Sequence, residues 1–216
     1  MSEGPPRPRI VALGTVSLDT IERGGERGGE RGAERGAERS GERNAESGGE
    51  IARDVLGGSA PYFGAAARHS SDVALLGVVG DDFPDELLNP LRELGVDVSG
   101  IERRPGETFR WHARYHPDGS RETLGTNRDR ALRAVPSVPE SLRHPRALFL
   151  GSTDPRTQAA VLMALGTPEL IVLDTMIHWV RQYRDEFLEV ARRARIVLMA
   201  EDEAIELGHG DVEAAV

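Results

Sequence analysis

The sequence contains no cysteine and no lysine, so all 27 of its basic residues are arginine. Without cysteine there can be no disulfide framework, thiolate zinc site, iron–sulfur cluster or cysteine nucleophile. Without lysine there can be no Schiff base and no lysine of a Walker-type phosphate loop. An anionic ligand must therefore be held by arginines, backbone amides or helix N-termini.

Long apolar runs are missing as well. No stretch of 18 apolar residues could form a transmembrane helix, and the N-terminal sequence MSEGPPRPRI lacks the apolar stretch of a secretory signal. The net charge of −9 argues against a nucleic-acid partner, which would need clustered basic residues. We therefore expect a cytoplasmic protein, with no membrane or nucleic-acid partner. Its 216 residues suffice for one large domain, with or without a small appendage.

A low-complexity segment rich in glutamate, arginine and glycine covers residues 22–50, where seven four-residue units of the ERGG type follow one another. Its glycines disfavour a helix, and no apolar stripe compensates for them. We predict a disordered, solvated insertion. Its composition also fits a docking tether for a partner.

Outside this insertion, patterns typical of strands and helices alternate. Apolar runs predict buried strands, and helical spacing of apolar residues predicts the helices between them. The predicted strands are 10–13, 73–79, 147–150, 170–173 and 196–199, and the predicted helices 59–69, 83–94, 155–165, 180–194 and 201–207. This alternation indicates an α/β fold around a mostly parallel sheet.

Residues 108–125 depart from that pattern. The sequence TFRWHARYH alternates strictly, with Phe109, Trp111, Ala113 and Tyr115 on one face; the turn PDGS and a return strand follow. This predicts an antiparallel hairpin that leaves the main sheet and could cover an active site. The Trp111 and Tyr115 face is compatible either with core packing or with a ligand platform.

Acidic residues follow three of the predicted strands: Asp19, the pair Asp81 and Asp82, and Asp174. Ligands of open parallel sheets bind at the carboxyl ends of the strands, and one carboxylate can accept two sugar hydroxyls. The alternative is that these residues cap helices, which is equally plausible for Asp174.

The pair Gly57 and Gly58, directly before a predicted helix, would let a ligand approach the backbone closely. A tight turn required for packing explains the pair equally well. His112 and His116 are too far apart along one strand for a single metal ion.

Taken together, these segments resemble the PfkB/ribokinase-type carbohydrate kinases. The resemblance extends over nearly everything outside the insertion. It rests on VALGTVSLD (11–19), DVLGGSAPYFGAAA (54–67), LLGVVGDDFP (75–84), GVDVSGI (95–101), ETFRWHARY (107–115), FLGSTDPRTQ (149–158) and LDTMIHW (173–179). It implies a ribokinase-like α/β sheet flanked by helices, with a small β lid over the sugar. It also implies transfer of the γ-phosphoryl group of ATP to a hydroxyl of a sugar or nucleoside, with Mg²⁺ and a possible homodimer formed through the lid.

The resemblance also implies roles for individual residues. Asp19 would bind substrate hydroxyls, and Asp174 would lie near the sugar and the phosphate path. Glu203 matches the glutamate of an Asn-x-x-Glu motif that organises magnesium and phosphates. The remaining substrate-site residues would line the sugar pocket or its lid: Gly57, Gly58, Gly80, Asp82 and Thr108.

The sequence also departs from the family pattern. Ala200 stands where the motif has asparagine, and Ile177 and Ser152 replace frequent asparagines. The C-terminal Gly-Ala-Gly-Asp segment, which supplies the catalytic aspartate, does not occur before Val216. We therefore expect residues 1–216 to be the N-terminal portion of a kinase domain that has no catalytic residue and is inactive alone. The alternatives are a non-catalytic carbohydrate-binding or regulatory relative and a truncated gene product.

Overall fold

The computed structural model describes residues 10–24, 42–43, 50–127, 133–211 and 213. A six-stranded sheet forms its centre, in the order β11-β10-β9-β1-β5-β6, and every pairing in it is parallel. Its strands are β1 (Ile10–Leu13), β5 (Val73–Val79), β6 (Asp97–Arg103), β9 (Ala147–Leu150), β10 (Leu170–Asp174) and β11 (Ile196–Leu198). The predicted parallel α/β sheet is thereby confirmed.

Helices cover both faces of this sheet. They are α1 (Ser59–Ala67), α2 (Asn89–Glu93), α3 (Pro155–Ala164), α4 (Ile177–Gln182), α5 (Arg184–Ala191) and α6 (Glu201–Leu207). Successive strand residues point to opposite faces, so Val11 and Leu13 join the core that includes Phe187 of α5, whereas Ala12 joins the core that includes Ala60 of α1. The result is a sheet between two helical layers.

Two predicted helices are interrupted. Residues 83–94 form a 3₁₀ turn (Asp85–Leu88) followed by the short α2, with Pro90 in its first turn. Proline has no amide hydrogen and restricts the residue before it, which disfavours one continuous helix. Residues 180–194 also divide, because Tyr183 leaves helical geometry (φ −138°) between α4 and α5.

A second, five-stranded sheet has the order β3-β4-β2-β7-β8. Its strands are β2 (Ser17–Arg23), β3 (Glu42–Arg43), β4 (Glu50–Gly57), β7 (Phe109–Tyr115) and β8 (Arg121–Thr126). β7 and β8 are antiparallel, which confirms the predicted hairpin, and β2 runs parallel to β7. We call this second sheet the lid.

The lid includes strands that the sequence analysis did not predict. The prediction of a disordered insertion over 22–50 is wrong for its described residues. Glu22 and Arg23 belong to β2, Glu50 belongs to β4, and β2 and β3 (Glu42–Arg43) both pair with β4. Residues 25–41 and 44–49, on which the prediction of disorder mainly rests, lie outside the described residues. Among the described helices, none combines the length and the apolar character needed to cross a bilayer.

Candidate functional site

The lid joins the central sheet where β1 ends. Gly14, Thr15 and Val16 connect β1 to β2, and Gly58 connects β4 to α1. The Thr15 hydroxyl accepts a hydrogen bond from the Ser59 backbone amide at 3.1 Å, and the Thr15 carbonyl accepts one from the Ala60 amide at 3.2 Å. The start of α1 is thus fixed against the junction between the two sheets.

Gly58 has a φ of 99°, and a Cβ there would overlap the Thr15 carbonyl group. Both observations restrict this position to glycine, because side chains disfavour positive φ. This supports the tight-turn interpretation of the glycine pair. It leaves a contact between Gly58 and substrate as a prediction.

Asp19 lies in β2 and is only 6% exposed. The Ser17 hydroxyl donates a hydrogen bond of 2.8 Å to Asp19 Oδ1. A Cβ on Gly57 would overlap the Asp19 carboxylate, so glycine is what allows this carboxylate to lie against β4. Burial raises the pKa of Asp19 to about 6, and the Ser17 hydrogen bond lowers it in part.

Asp82 and Thr108 connect the lid to the loop after β5. Asp82 Oδ1 accepts hydrogen bonds from the amide and the hydroxyl of Thr108, both at 2.7 Å, and Asp82 Oδ2 accepts one from Arg110 Nη2 at 2.8 Å. The Thr108 hydroxyl also accepts a bond of 3.0 Å from the Gly80 amide. Arg110 pairs with Asp54 of β4 as well. We call these groups the lid tether.

The tether also explains Gly80, because a Cβ there would overlap the backbone at Gly106 and Thr108. Asp82 therefore has a structural role, and its predicted role in the wall of the sugar pocket stays a prediction. Arg110 was not predicted as a member of the site. Arg110 lies in a strand with an alternating pattern, and that pattern does not indicate a hydrogen bond to Asp82, 28 residues earlier in the chain.

Asp174 ends β10 at the carboxyl edge of the central sheet. Its Oδ2 accepts a hydrogen bond of 3.2 Å from the Ser152 amide, and burial raises its pKa. The alternative of a helix cap is not observed, since α4 begins at Ile177 and Met176 is its capping residue. Ser152 Oγ and Gln158 Oε1 are buried nearby without a hydrogen-bond partner.

Glu203 lies in the first turn of α6, where its Oε2 accepts a hydrogen bond of 2.8 Å from the Ala200 amide. Burial raises the pKa of Glu203, and the charges of Asp202 and Asp174 raise it further. The charge of Asp174 is thus close enough to affect the pKa of Glu203. Asp174 ends β10, and Asp19 lies in β2, the strand that follows β1. Because β1, β9 and β10 are parallel, β1 and β10 end at the same edge of the sheet.

The described residues contain no group of three or more histidine, cysteine or acidic side chains able to hold a metal ion. Glu203 is also partly committed to the Ala200 amide. The two carboxylates at 174 and 203 therefore fit a cation held through water and a bound phosphate, not a cage made of protein ligands alone.

Two openings lie on the described part of the chain, at different places in the fold. A small cavity at the junction is lined by Gly14, Gly77, Phe109 and Thr153, among others. A larger cleft of about 580 Å³ lies along β6, and none of the predicted site residues lines it. There, the Arg103 guanidinium donates to the carbonyl groups of Gly80, Asp81 and Phe83 and is thus used within the fold. The small cavity is likewise lined by none of the predicted site residues, but it lies at the junction of the two sheets, where Phe109 of β7 forms part of its wall.

The sequence is 29% identical over 164 residues to a cytidine kinase of Thermococcus kodakarensis, a match that covers 74% of this chain and 58% of the relative. The chain thus spans little more than half the length of this curated relative. No protein-family profile matches the sequence.

Solved structures share the fold. A nucleoside kinase of Methanocaldococcus jannaschii, an archaeal member of the ribokinase family, superposes with a TM-score of 0.68 at 14% identity, covering 98% of this chain and 68% of that one. An uncharacterized sugar kinase of Pyrococcus horikoshii in complex with ATP gives a TM-score of 0.64 at 21% identity, covering 93% and 66%. The fold is therefore ribokinase-like, and the predicted resemblance is confirmed at that level.

Proposed function

We propose that this chain carries the acceptor-binding part of an ATP-dependent phosphotransferase whose acceptor is a hydroxyl group of a nucleoside or sugar. One observation carries the proposal: a buried aspartate, Asp19, lies on a lid strand directly beside the carboxyl ends of the parallel sheet. The similarity to a cytidine kinase and to nucleoside and sugar kinases of known structure supports this choice of acceptor.

In this proposal Asp19 accepts hydrogen bonds from substrate hydroxyls. Its Oδ1 is already held by Ser17, which fixes the carboxylate for a second partner at Oδ2. Gly57 allows the Asp19 carboxylate to lie against β4, Gly58 allows the turn into α1 beside it, and the tether of Gly80, Asp82 and Thr108 holds the lid in place. Because the pKa of Asp19 is about 6, the acceptor form predominates at neutral pH.

Asp174 would lie beside the reacting hydroxyl, and Glu203 would face the phosphates of ATP. A Mg²⁺ ion bound with those phosphates would neutralise charge that develops during phosphoryl transfer. The contribution of this chain is then to bind and orient the acceptor, and the proposal assigns no catalytic residue to it.

A binding or regulatory function without catalysis is the second candidate. The side chain at the start of α6 is the methyl group of Ala200, which offers no hydrogen bond to a phosphate or to a hydrated cation. Ser152 stands where the kinases that this sequence resembles frequently have asparagine. These two departures from the family pattern favour a protein that binds the acceptor without transferring phosphate to it.

Two further parts of the proposal concern the whole protein. We propose a homodimer formed through the lid and a cytoplasmic location. Among the described strands, β3 and β8 are the edges of the lid, and we propose that pairing with a second copy takes place at such an edge. Sedimentation of the purified chain tests the first of these, with a mass of 23.5 kDa for the monomer.

The central experiment combines calorimetric titration with an assay of ADP release. Cytidine and ribose are titrated into the chain at pH 8, and each is then incubated with ATP and Mg²⁺. We expect binding that Asp19→Asn weakens at least about tenfold, as for loss of a charged hydrogen bond. The control is Asp81→Asn, the same substitution at an exposed aspartate, which should bind like the wild type. Binding without ADP release agrees with both candidates, because the proposal assigns no catalytic residue to this chain. ADP release would contradict the second candidate, and no binding by either ligand would contradict both.

A further inference from the structure

Strand register places Trp111 beside Asp19. β2 and β7 are parallel, and Asp19 is paired with Trp111. Paired residues of neighbouring strands point to the same face of a sheet. The opposite face supports this assignment, because Glu22 there contacts His112 at 2.9 Å and Arg114 at 2.7 Å. Trp111 and Asp19 therefore share the other face of the lid.

That face points toward the junction with the central sheet. Phe109, two residues before Trp111 on the same face, lines the small cavity together with Gly14, at the end of β1, and Thr153, which follows β9. Asp19 and Ser17 belong to this face as well, through their pairing with Trp111 and Phe109. The indole thus lies on the same face of the lid as Asp19, the face that would contact a bound substrate.

The indole is fixed in place although it is only partly buried. Its Nε1 donates a hydrogen bond of 3.2 Å to Thr123 Oγ1, and the guanidinium carbon of Arg121 lies 5.2 Å from the ring centroid. By contrast, the other tryptophan, Trp179, is 2% exposed and belongs to the core. A partly exposed indole held by two neighbours is typical of an aromatic binding surface, because stacking needs a rigid flat ring.

We infer that Trp111 is the stacking surface for the base of a nucleoside whose sugar hydroxyls bind Asp19, so that the site selects nucleosides over free sugars. Neighbouring strands lie about 4.8 Å apart, so the carboxylate and the indole are adjacent. A ribose ring carrying a base presents hydroxyls and a planar group side by side in the same way. Arg121 covers one face of the indole, and the base would stack on the other. The inference rests on the proposed function and deepens it.

Tryptophan fluorescence tests this directly, because the chain has only two tryptophans and Trp179 is buried. Cytidine, adenosine and ribose are titrated into the wild type and into Trp111→Phe, Trp111→Ala and Asp19→Asn, with affinities measured in parallel by calorimetry. We expect the nucleosides, but not ribose, to change the emission of the wild type and to leave that of Trp111→Phe unchanged. Loss of one base stack should weaken nucleoside binding roughly 5- to 150-fold in Trp111→Ala. Trp111→Phe keeps a ring and should lose less.

The outcomes separate the inference from the proposed function. If nucleosides bind and Trp111→Ala binds them as the wild type does, the stacking role is wrong and the proposed function remains. If ribose binds as tightly as the nucleosides, selection by Trp111 is also wrong. If Asp19→Asn has no effect or no ligand binds, the proposed function fails as well. Circular dichroism of each variant checks that a lost affinity does not reflect a lost fold.

Discussion

The two sheets of this protein are stabilised in different ways. All seven residues of β5 in the central sheet are buried, whereas only Ala113 is buried among the seven residues of β7 in the lid. The central sheet is held by apolar packing on both faces. Strand β7 of the lid is held mainly by hydrogen bonds and ion pairs, whereas Leu18 of β2 packs in an apolar core. A site between the two therefore has one rigid wall and one wall whose position depends on a few polar contacts.

Two carboxylates, Asp82 and Glu22, make the main polar contacts of β7. Asp82 receives three hydrogen bonds from Thr108 and Arg110, and Glu22 joins β2 to β7 through His112 and Arg114. If the comparison between the sheets is right, core substitutions should lower global stability, and tether substitutions should mainly affect the lid.

The largest effect is expected from Phe187→Ala. Phe187 is completely buried against the central sheet, so its removal leaves a cavity and should lower the free energy of unfolding by about 3–5 kcal/mol. Urea denaturation followed by circular dichroism measures the change. The control is Met163→Ala, at a side chain that is 70% exposed and should cost little. Equal losses in the two variants would contradict a core centred on Phe187.

Next in size is Asp82→Ala, which removes the acceptor of the tether. Leaving the Thr108 and Arg110 donors without their partner should cost about 2–3 kcal/mol. The loss should appear as faster hydrogen exchange in β7 and β8, with β1 and β9 little changed. Asp81→Ala at the exposed neighbouring position is the matched control. Uniformly faster exchange in both sheets would show that the lid does not open separately.

The third largest effect is expected from Asp19, on how the stability of the protein depends on pH. Burial raises its pKa in the folded protein from 3.8 to about 6, so folding favours the protonated form. The stability that the protonated form contributes is complete below pH 3.8 and is lost as the pH rises through 6, a change of about 3 kcal/mol. Asp19→Asn should therefore reduce the decline of stability between pH 4 and 7, relative to Asp81→Asn.

Substrate affinity should have the opposite pH dependence, because the ionised carboxylate is the better acceptor. We expect affinity to rise through pH 6 in the wild type and not in Asp19→Asn. Calorimetric titration of cytidine at several pH values measures it. A flat profile in the wild type would place the binding carboxylate elsewhere.

The smallest effect is expected from Glu22→Gln. Hydrogen bonds from Arg114 and His112 lower the pKa of Glu22, but the pair is partly exposed to solvent. Its loss should cost less than about 1 kcal/mol, and less still at high salt. Glu169→Gln breaks the more exposed pair with Arg146 and should change the midpoint of urea denaturation even less. If Glu22→Gln lowered the free energy of unfolding more than Asp82→Ala does, the expected ranking of these two lid contacts would be wrong.

The central sheet could be predicted because its strands carry their signal locally. The runs at 73–79 and 147–150 are continuously apolar, and the structure places β5 and β9 there. The hairpin was recognisable for the same reason, since β7 alternates and a PDGS turn follows it. In each case a residue and its neighbours determine the element.

The rest of the lid depends on distant contacts. β2 and β4 carry polar residues at their outer ends, so Glu22 and Glu50 resembled the repeat next to them. Their pairing across the insertion forms the strands. The same holds for the site. Asp19 was identified from its place after β1, but the bonds from Arg110 to Asp82 and from Ser152 to Asp174 form only when the chain has folded.

The most direct test of the account is hydrogen–deuterium exchange of the chain with and without cytidine. If Asp19 binds the acceptor, cytidine should slow exchange in β2 and β7 and at residues 151–153 after β9, where the lid meets the central sheet. Protection confined to β6 and the residues lining the 580 Å³ cleft would contradict it, because the acceptor would then bind away from Asp19.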